Sequence, residues 1–382
     1  MLPASIGDYR ERARRRLPPL LFDYIDGGSY AETTLRRNVA DFELIALRQR
    51  VMRDMTVVDT AVELMGRKWS MPVGLAPVGM AGLYARRGEG QAARAARKAG
   101  VPFCLSSVGV CAIEEVAAAA GEPPWFQLYM LKDRGYMREL LQRAAAAGAP
   151  ALVFTVDLPA PGSRYRDVRS GLSSPPSMAR TLREGWQGVT HPAWLWDVWL
   201  HGRPHSFGSI SAAIPEARGA SDFWGWISRN FDRGVTWADL DFVRESWSGP
   251  IIVKGVLDPD DARQAVRLGV DGVVVSNHGG RQLDGVSSSI KALPRIVQAA
   301  GGDLDVFLDG GVRSGLDVLK AVSLGAKACF LGRAWAFSLA AGGEAMVTRM
   351  LETMRAELVT AMILTGCNSI AQADETLLDA AI

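Results

Sequence analysis

Short apolar, β-branched runs recur along the chain at 72–76 (PVGLA), 102–105 (PFCL), 125–129 (WFQLY), 151–156 (ALVFTV), 250–254 (PIIVK), 271–275 (DGVVV), 304–308 (LDVFL) and 327–331 (KACFL). Mostly apolar runs of four to six residues have the length of a fully buried strand. Ala/Arg/Leu-rich stretches of helical character follow at 88–99, 112–120, 134–147, 236–247, 258–268, 289–300, 314–324 and from 334 onward. Glycine ends several of them, at Ala99-Gly100, Ala147-Gly148, Leu268-Gly269 and Leu324-Gly325, where a left-handed cap needs a residue without Cβ. Asp258-Pro259 and Ser314 mark helix starts. Eight strand–helix alternations predict an α/β fold, a closed (β/α)8 TIM barrel of parallel strands. Residues 1–382 then form a single domain, with an N-terminal helical segment over 1–70 and an insertion of about 170–225 between the fourth and fifth strands.

Such barrels build their active sites on the C-terminal face, so the residues just beyond each strand carry the chemical information. Here they are Pro77, Val78 and Gly79; Ser106 and Ser107; Gln127 with Tyr129; Thr155 with Asp157; Lys254; Asn277 and His278 with Arg281; Asp309, Gly310, Gly311 and Arg313; and Gly332 with Arg333. Caps and turns account for a few polar residues, not for polar groups at nearly every mouth of apolar strands. His278 follows the buried run Val273-Val274-Val275 and is one of four histidines in the chain. The other three, His191, His201 and His205, sit in a Pro- and Trp-containing segment with no strand around them. An imidazole base would therefore be His278, and Arg281 beside it can grip a carboxylate bidentately. The glycine turns after the seventh and eighth strands, with Arg313 and Arg333, suit a phosphate monoester. Neither a G-x-G-x-x-G after an early strand nor a P-loop occurs, so the phosphate would belong to a cofactor in the barrel mouth.

Composition narrows this further. A net charge of +2 from 43 basic and 41 acidic side chains is not a nucleic-acid footprint. The run Arg12–Arg16 reads as a solvated helix face. Cys104, Cys111, Cys329 and Cys367 show neither C-x-x-C pairing nor zinc spacing, which predicts reduced, buried thiols and no metal site. Asp8, Arg10, Glu11 and Arg12 interrupt the N-terminus, and no run of 18 apolar residues exists, so the expected location is cytoplasmic.

Taken together, SNHGGRQLDG at 276–285, APVGMAGL at 76–83, WFQLY at 125–129, TVDLPAPGSRYRD at 155–167, IIVKG at 251–255, LDGGVRSG at 308–315 and LGR at 331–333 resemble the FMN-dependent α-hydroxy acid dehydrogenases and oxidases. FDYIDGGSYAETTLRRN at 22–38 is similar to that family's N-terminal signature, and THPAWLWDVWLHGRP at 190–204 to its bacterial membrane-associated L-lactate dehydrogenase branch. The resemblance implies FMN as cofactor and oxidation of an (S)-2-hydroxy acid, L-lactate to pyruvate first, with (S)-mandelate as the alternative. It implies His278 as base, Asp157 on its imidazole, Arg164 and Arg281 on the substrate carboxylate, and Tyr24 and Tyr129 on carboxylate and hydroxyl. Ser106, Gln127, Thr155 and Lys254 would contact the flavin, with Arg313, Arg333 and the glycine loops on its phosphate. A homotetramer is implied as well. Whether the α-hydrogen leaves as a proton or a hydride stays open, since both routes use the same base. A phosphate-binding scaffold barrel is the alternative from another class, and the complete set of base, arginines and lysine argues against it.

The electron acceptor divides the family: a quinone for dehydrogenases, O2 with release of H2O2 for oxidases. Gly79, where the family's oxidases more often carry alanine, tilts towards the dehydrogenase. Eight of eleven tryptophans lie in 158–250, with ten arginines, no lysine and nine acids. Trp194, Trp196 and Trp199 with Leu195, Val198 and Leu200 are expected to form one apolar surface, so 186–226 is read as a peripheral contact with the inner face of the cell membrane. A lid or an oligomer contact is the alternative. Trp237 and Trp247 are expected in the core beside the helix before the fifth strand.

Overall fold

The structure is a computed structural model that describes residues 2–173, 177–210 and 229–379. Eight parallel strands form the barrel: β1 (Val73–Leu75), β2 (Cys104–Ser106), β3 (Trp125–Tyr129), β4 (Leu152–Thr155), β5 (Ile251–Val256), β6 (Gly272–Val275), β7 (Asp305–Asp309) and β8 (Ala328–Leu331). Each pairs with its sequence neighbour, β8 pairs with β1, and a bridge between Leu75 and Phe103 completes the circle. Strands and helices stand where the apolar runs place them. The four predicted glycine stops all have positive φ, from +62° at Gly269 to +99° at Gly325.

The period of two along each strand sorts side chains between two layers. In β5, Ile251 and Val253 face the helices while Ile252 points into the barrel. The inward set closes the floor with aromatics: Trp69 lies 5.5 Å from Trp125 and 6.2 Å from Phe307, and Phe330 lies 5.6 Å from Phe307. Trp69 arrives on an antiparallel hairpin, Val62–Leu64 with Arg67–Trp69.

The N-terminal segment is helical only as far as Glu43: α1 (Ile6–Arg16), α2 (Pro19–Asp26) and α3 (Thr33–Glu43), followed by an extended arm and the floor hairpin. The hairpin strands are three residues each and buried only at Leu64 and Trp69, too short and too polar to stand out from a helical segment as the fully buried barrel strands do. The helices lie over the barrel mouth, tied by Arg10 and Arg166 on the Asp26 carboxylate at 2.8 and 2.7 Å. Arg14 and Arg15 pair with Glu11 on the exposed face of α1, as the basic run predicts.

The insertion begins after Asp157. Helices Tyr165–Ser170, Met178–Val189 and Pro192–Trp194 lead into a wide π-type turn, Leu195–Leu200. The expected single apolar surface divides. Trp194 packs inward with Nε1 donating to the Leu83 carbonyl (2.8 Å), and Val198 is buried. Trp186 (69% exposed), Trp196 (65%), Leu182 and Val189 face outward. Residues two apart on a helical turn point to opposite sides, so sequence adjacency does not mean a shared face. Trp224 and Trp226 lie outside the described residues. Trp247 is buried at the end of the helix Asp239–Ser246, and Trp237 is half-buried against the core just before it. Among the described residues no helix is long and apolar enough to cross a membrane.

Candidate active site

The polar layer starts two residues beyond the aromatic floor, on the same inward face. Phe307 is followed by Asp309, Ile252 by Lys254, Val274 by Ser276, Val153 by Thr155, Trp125 by Gln127 and Cys104 by Ser106. Parallel register sets these groups side by side, with Ser106 opposite Gln127 and Thr155 opposite Lys254. All six are buried or nearly so.

His278 stands just beyond β6, its Nδ1 2.8 Å from Asp157 Oδ1. Asp157 can approach because β5 bulges between Lys254 and Val256 at Gly255, where φ is +112° and a Cβ would lie 2.5 Å from that of Asp157. Burial works against the carboxylate, but the facing His278 and Lys254 charges outweigh it and hold the Asp157 carboxyl below its ordinary range. Burial also disfavours the imidazolium. Together with the Lys254 and Arg164 charges it overrides the Asp157 attraction, so the His278 pKa is lowered. The ionised carboxylate therefore accepts from Nδ1–H, and Nε2 carries the lone pair.

Lys254 ion-pairs with Asp309 at 2.9 Å and donates to Ser276 Oγ at 2.9 Å. Burial opposes its charge, yet Asp309 and Asp157 raise its pKa, so a cation is fixed at the centre of the mouth. Tyr24 lies between two guanidinium groups, with Arg281 4.6 Å and Arg164 5.9 Å from its ring centroid. Tyr129 stacks 6.5 Å from the His278 ring. Burial and the neighbouring Arg281 pull Arg164 down to about 10; burial, with the Arg10 charge, takes Arg313 to about 10 against Asp317 and Asp26; Arg333 is lowered well below its usual value by burial, Arg281 and Arg313. Buried cations that oppose one another are stabilised by an anion.

One cavity is lined by Tyr24, Pro77, Val78, Gly79, Tyr129, Arg164, Lys254, His278, Arg281, Asp309, Gly310, Gly311, Arg313, Gly332 and Arg333. Ser106, Gln127 and Thr155 lie in the layer beside it. Arg333 is less free than expected. Its Nε, Nη1 and Nη2 donate to the carbonyls of Ile25, Gly279 and Gly27 at 2.8–2.9 Å, clasping the C-terminal end of α2. Sequence reasoning missed Val108 and Leu158, which line the cavity but are apolar and so look like core. It also missed Gln282, which ties the Asp157 and Ala160 carbonyls to the base loop (2.8 and 3.0 Å).

The family model for FMN-dependent dehydrogenases matches residues 13–380. The chain belongs to the FMN-dependent dehydrogenase family. It is 56% identical to an L-lactate dehydrogenase of Caulobacter vibrioides (strain NA1000 / CB15N) over 378 residues, 99% of this chain and 98% of that protein. Among solved structures it is similar to the monotopic membrane protein (S)-mandelate dehydrogenase, with a TM-score of 0.92 at 31% identity over 99% of this chain and 100% of that one. A mandelate oxidase structure matches with a TM-score of 0.83 at 38% identity, over 99% and 98% of the two chains. FMN is the cofactor of this dehydrogenase, and the residues present fit it. Gln127 Nε2, Thr155 Oγ1 and Asp309 Oδ1 are buried without a protein partner among the described residues, as a polar ring edge and a hydroxylated chain require. Such groups are costly to bury unpaired.

Proposed function

We propose that this FMN-dependent dehydrogenase oxidises (S)-2-hydroxy acids, L-lactate to pyruvate first, and passes the electrons to a membrane quinone. The observation that carries the chemistry is one cavity in which the His278–Asp157 pair faces Arg164 and Arg281 beside the buried Lys254. Ser106, Gln127, Thr155 and Lys254 hold the flavin ring, Asp309 the sugar-alcohol chain, and Gly310, Gly311, Arg313, Gly332 and Arg333 the phosphate, with Pro77, Val78 and Gly79 along one side. Bound there, FMN takes up the two electrons released when the hydroxy acid becomes a keto acid.

Arg164 and Arg281 grip the substrate carboxylate with charge-assisted hydrogen bonds, each contributing roughly 1.5–3 kcal/mol. Tyr24 and Tyr129 orient carboxylate and hydroxyl. His278 Nε2 accepts the proton, and Asp157 stabilises the imidazolium so formed. Lys254 keeps a positive charge where negative charge accumulates.

Lactate is favoured by the 56% identity to an L-lactate dehydrogenase over nearly the whole chain. (S)-Mandelate is the second reading, favoured by the TM-score of 0.92 to the mandelate dehydrogenase. Gly79 is the residue that tilts the reading towards quinone over O2, and a Cβ there would lie 2.8 Å from Val108 Cγ2, so alanine would fit only if Val108 moved. The outward Trp186, Trp196, Leu182 and Val189 support peripheral attachment to the inner membrane face, and the protein is read as a single-domain homotetramer. Anaerobic mixing of the yellow protein with L-lactate, D-lactate, glycolate and (S)-mandelate tests the substrate, and turnover with a soluble quinone against O2 tests the acceptor. Bleaching fastest with L-lactate and turnover dominated by quinone are expected. Faster bleaching with mandelate, or stoichiometric H2O2, would overturn the corresponding half.

A further inference from the structure

The N-terminal signature ends on Asn38, a residue to which neither flavin nor substrate assigns a role. Asn38 sits on α3 and is 1% exposed. Its Nδ2 donates to Asn277 Oδ1 at 2.8 Å, and Asn277 Nδ2 donates back to Asn38 Oδ1 at 2.8 Å. Backbone groups fix the orientation of both amides. Asn277 Oδ1 also accepts from Gly280 N (2.9 Å), Asn277 Nδ2 donates to the Ser287 carbonyl (3.1 Å), and Asn38 Oδ1 accepts from Ser289 N (3.3 Å). Turning either amide over would set donor against donor.

Asn277 immediately precedes the base. His278, Gly279 and Gly280 have φ of +57°, +65° and +73°, three successive left-handed residues. For the histidine that conformation is strained and needs outside support. The Asn277 side chain caps this turn through Gly280 N, and α3 rests directly on it: a Cβ on Gly280 would lie 2.6 Å from Leu35 N. Asn38 reaches the loop after β7 as well. A Cβ on Gly311 would lie 1.8 Å from the Asn38 carbonyl oxygen, and one on Gly310 would lie 3.3 Å from Asn38 Nδ2.

We propose that Asn38 is a positioning residue, whose amide pair with Asn277 fixes the left-handed turn that aims His278 and keeps it in register with the 309–313 loop. The proposal rests on His278 being the base. If His278→Ala keeps its kcat, that reading fails, whatever the Asn38 variants do.

Asn38→Asp preserves shape but replaces the donor to Asn277 Oδ1 with a second acceptor. A displaced base of this kind costs about tenfold to a hundredfold. The expected result is that kcat with L-lactate falls by that amount, while KM stays within about threefold and FMN content matches the parent protein. Because the two amides act as a unit, Asn38→Ala/Asn277→Ala should cost no more than Asn277→Ala alone. Asn38→Ser, which keeps a hydroxyl donor in a smaller side chain, should lie between parent and Asp variant, and supplies the measurement if the Asp variant does not fold. Asp41→Ala is the control: it removes a different tie of α3, the hydrogen bond from Ser288 Oγ, and should lower Tm without moving kcat. An unchanged kcat in FMN-saturated Asn38 variants would overturn the proposal. So would a loss in kcat that simply tracks Tm across the Asn38 and Asp41 variants, or additive losses in the double variant.

Discussion

The two ends of the same eight strands differ by two residues per strand and by the whole of their chemistry. At the floor, Trp69, Trp125, Phe307 and Phe330 pack edge to face and stacked, without a charge among them. One turn of the pleat higher, the same inward face presents Gln127, Thr155, Lys254, Ser276 and Asp309. The floor is satisfied by contact alone. The mouth holds opposed cations, buried polar groups without a protein partner and a left-handed histidine, all of which lower stability unless a ligand or a neighbour compensates. Floor substitutions should therefore alter stability and leave turnover per folded molecule, and mouth substitutions should do the reverse.

The largest expected effect is at the mouth. His278→Ala should lower kcat by roughly a thousandfold, within the range for loss of a general base, while FMN stays bound. Steady-state rates and flavin content of the purified variant check it. At the floor, Phe307→Ala should cost about 3–5 kcal/mol in unfolding free energy, read from denaturant midpoints, with kcat per FMN unchanged. A large drop in kcat there would erase the distinction between the two ends. Arg281→Lys keeps the charge and loses the planar fork, so kcat/KM should fall about tenfold, chiefly through KM.

A smaller effect concerns pH. With His278 as the proposed base, turnover needs neutral imidazole, and burial with the Lys254 and Arg164 charges lowers the His278 pKa. The base is then fully available at pH 7 and above, and kcat/KM should fall only as pH drops below the ordinary histidine value of about 6.5. Asp157→Asn removes an influence that raises this pKa, so the acid limb should move to still lower pH in a slower enzyme. An upward movement would contradict the charge assignment. Smallest for the chemistry, but not for location, is Trp186→Ser/Trp196→Ser. Sedimentation with lipid vesicles should weaken while turnover with a soluble quinone holds.

Much of this division was legible in the sequence, because strand alternation and glycine caps are local signals. β3 could be placed from WFQLY alone, and the polar residues after each strand located the mouth. Other features depend on distance or phase. Asn38 and Asn277 are 239 positions apart, and neither carries a hint of its partner. Val108 and Leu158 line the cavity with side chains indistinguishable from core. The floor hairpin hid inside a segment read as helical because three-residue strands carry too little pattern. Trp194 points inward and Trp196 outward because residues two apart on a helical turn sit on opposite sides, which counting tryptophans does not reveal.

The mouth assembled around His278 is the proposed place where a 2-hydroxy acid gives up its electrons. Anaerobic stopped-flow mixing of L-lactate with the purified yellow protein and with its His278→Ala variant, matched for FMN content, tests it most directly. Rapid bleaching of the parent and bleaching slowed by orders of magnitude in the variant are the expected pair. Equal bleaching rates in both proteins would contradict the claim.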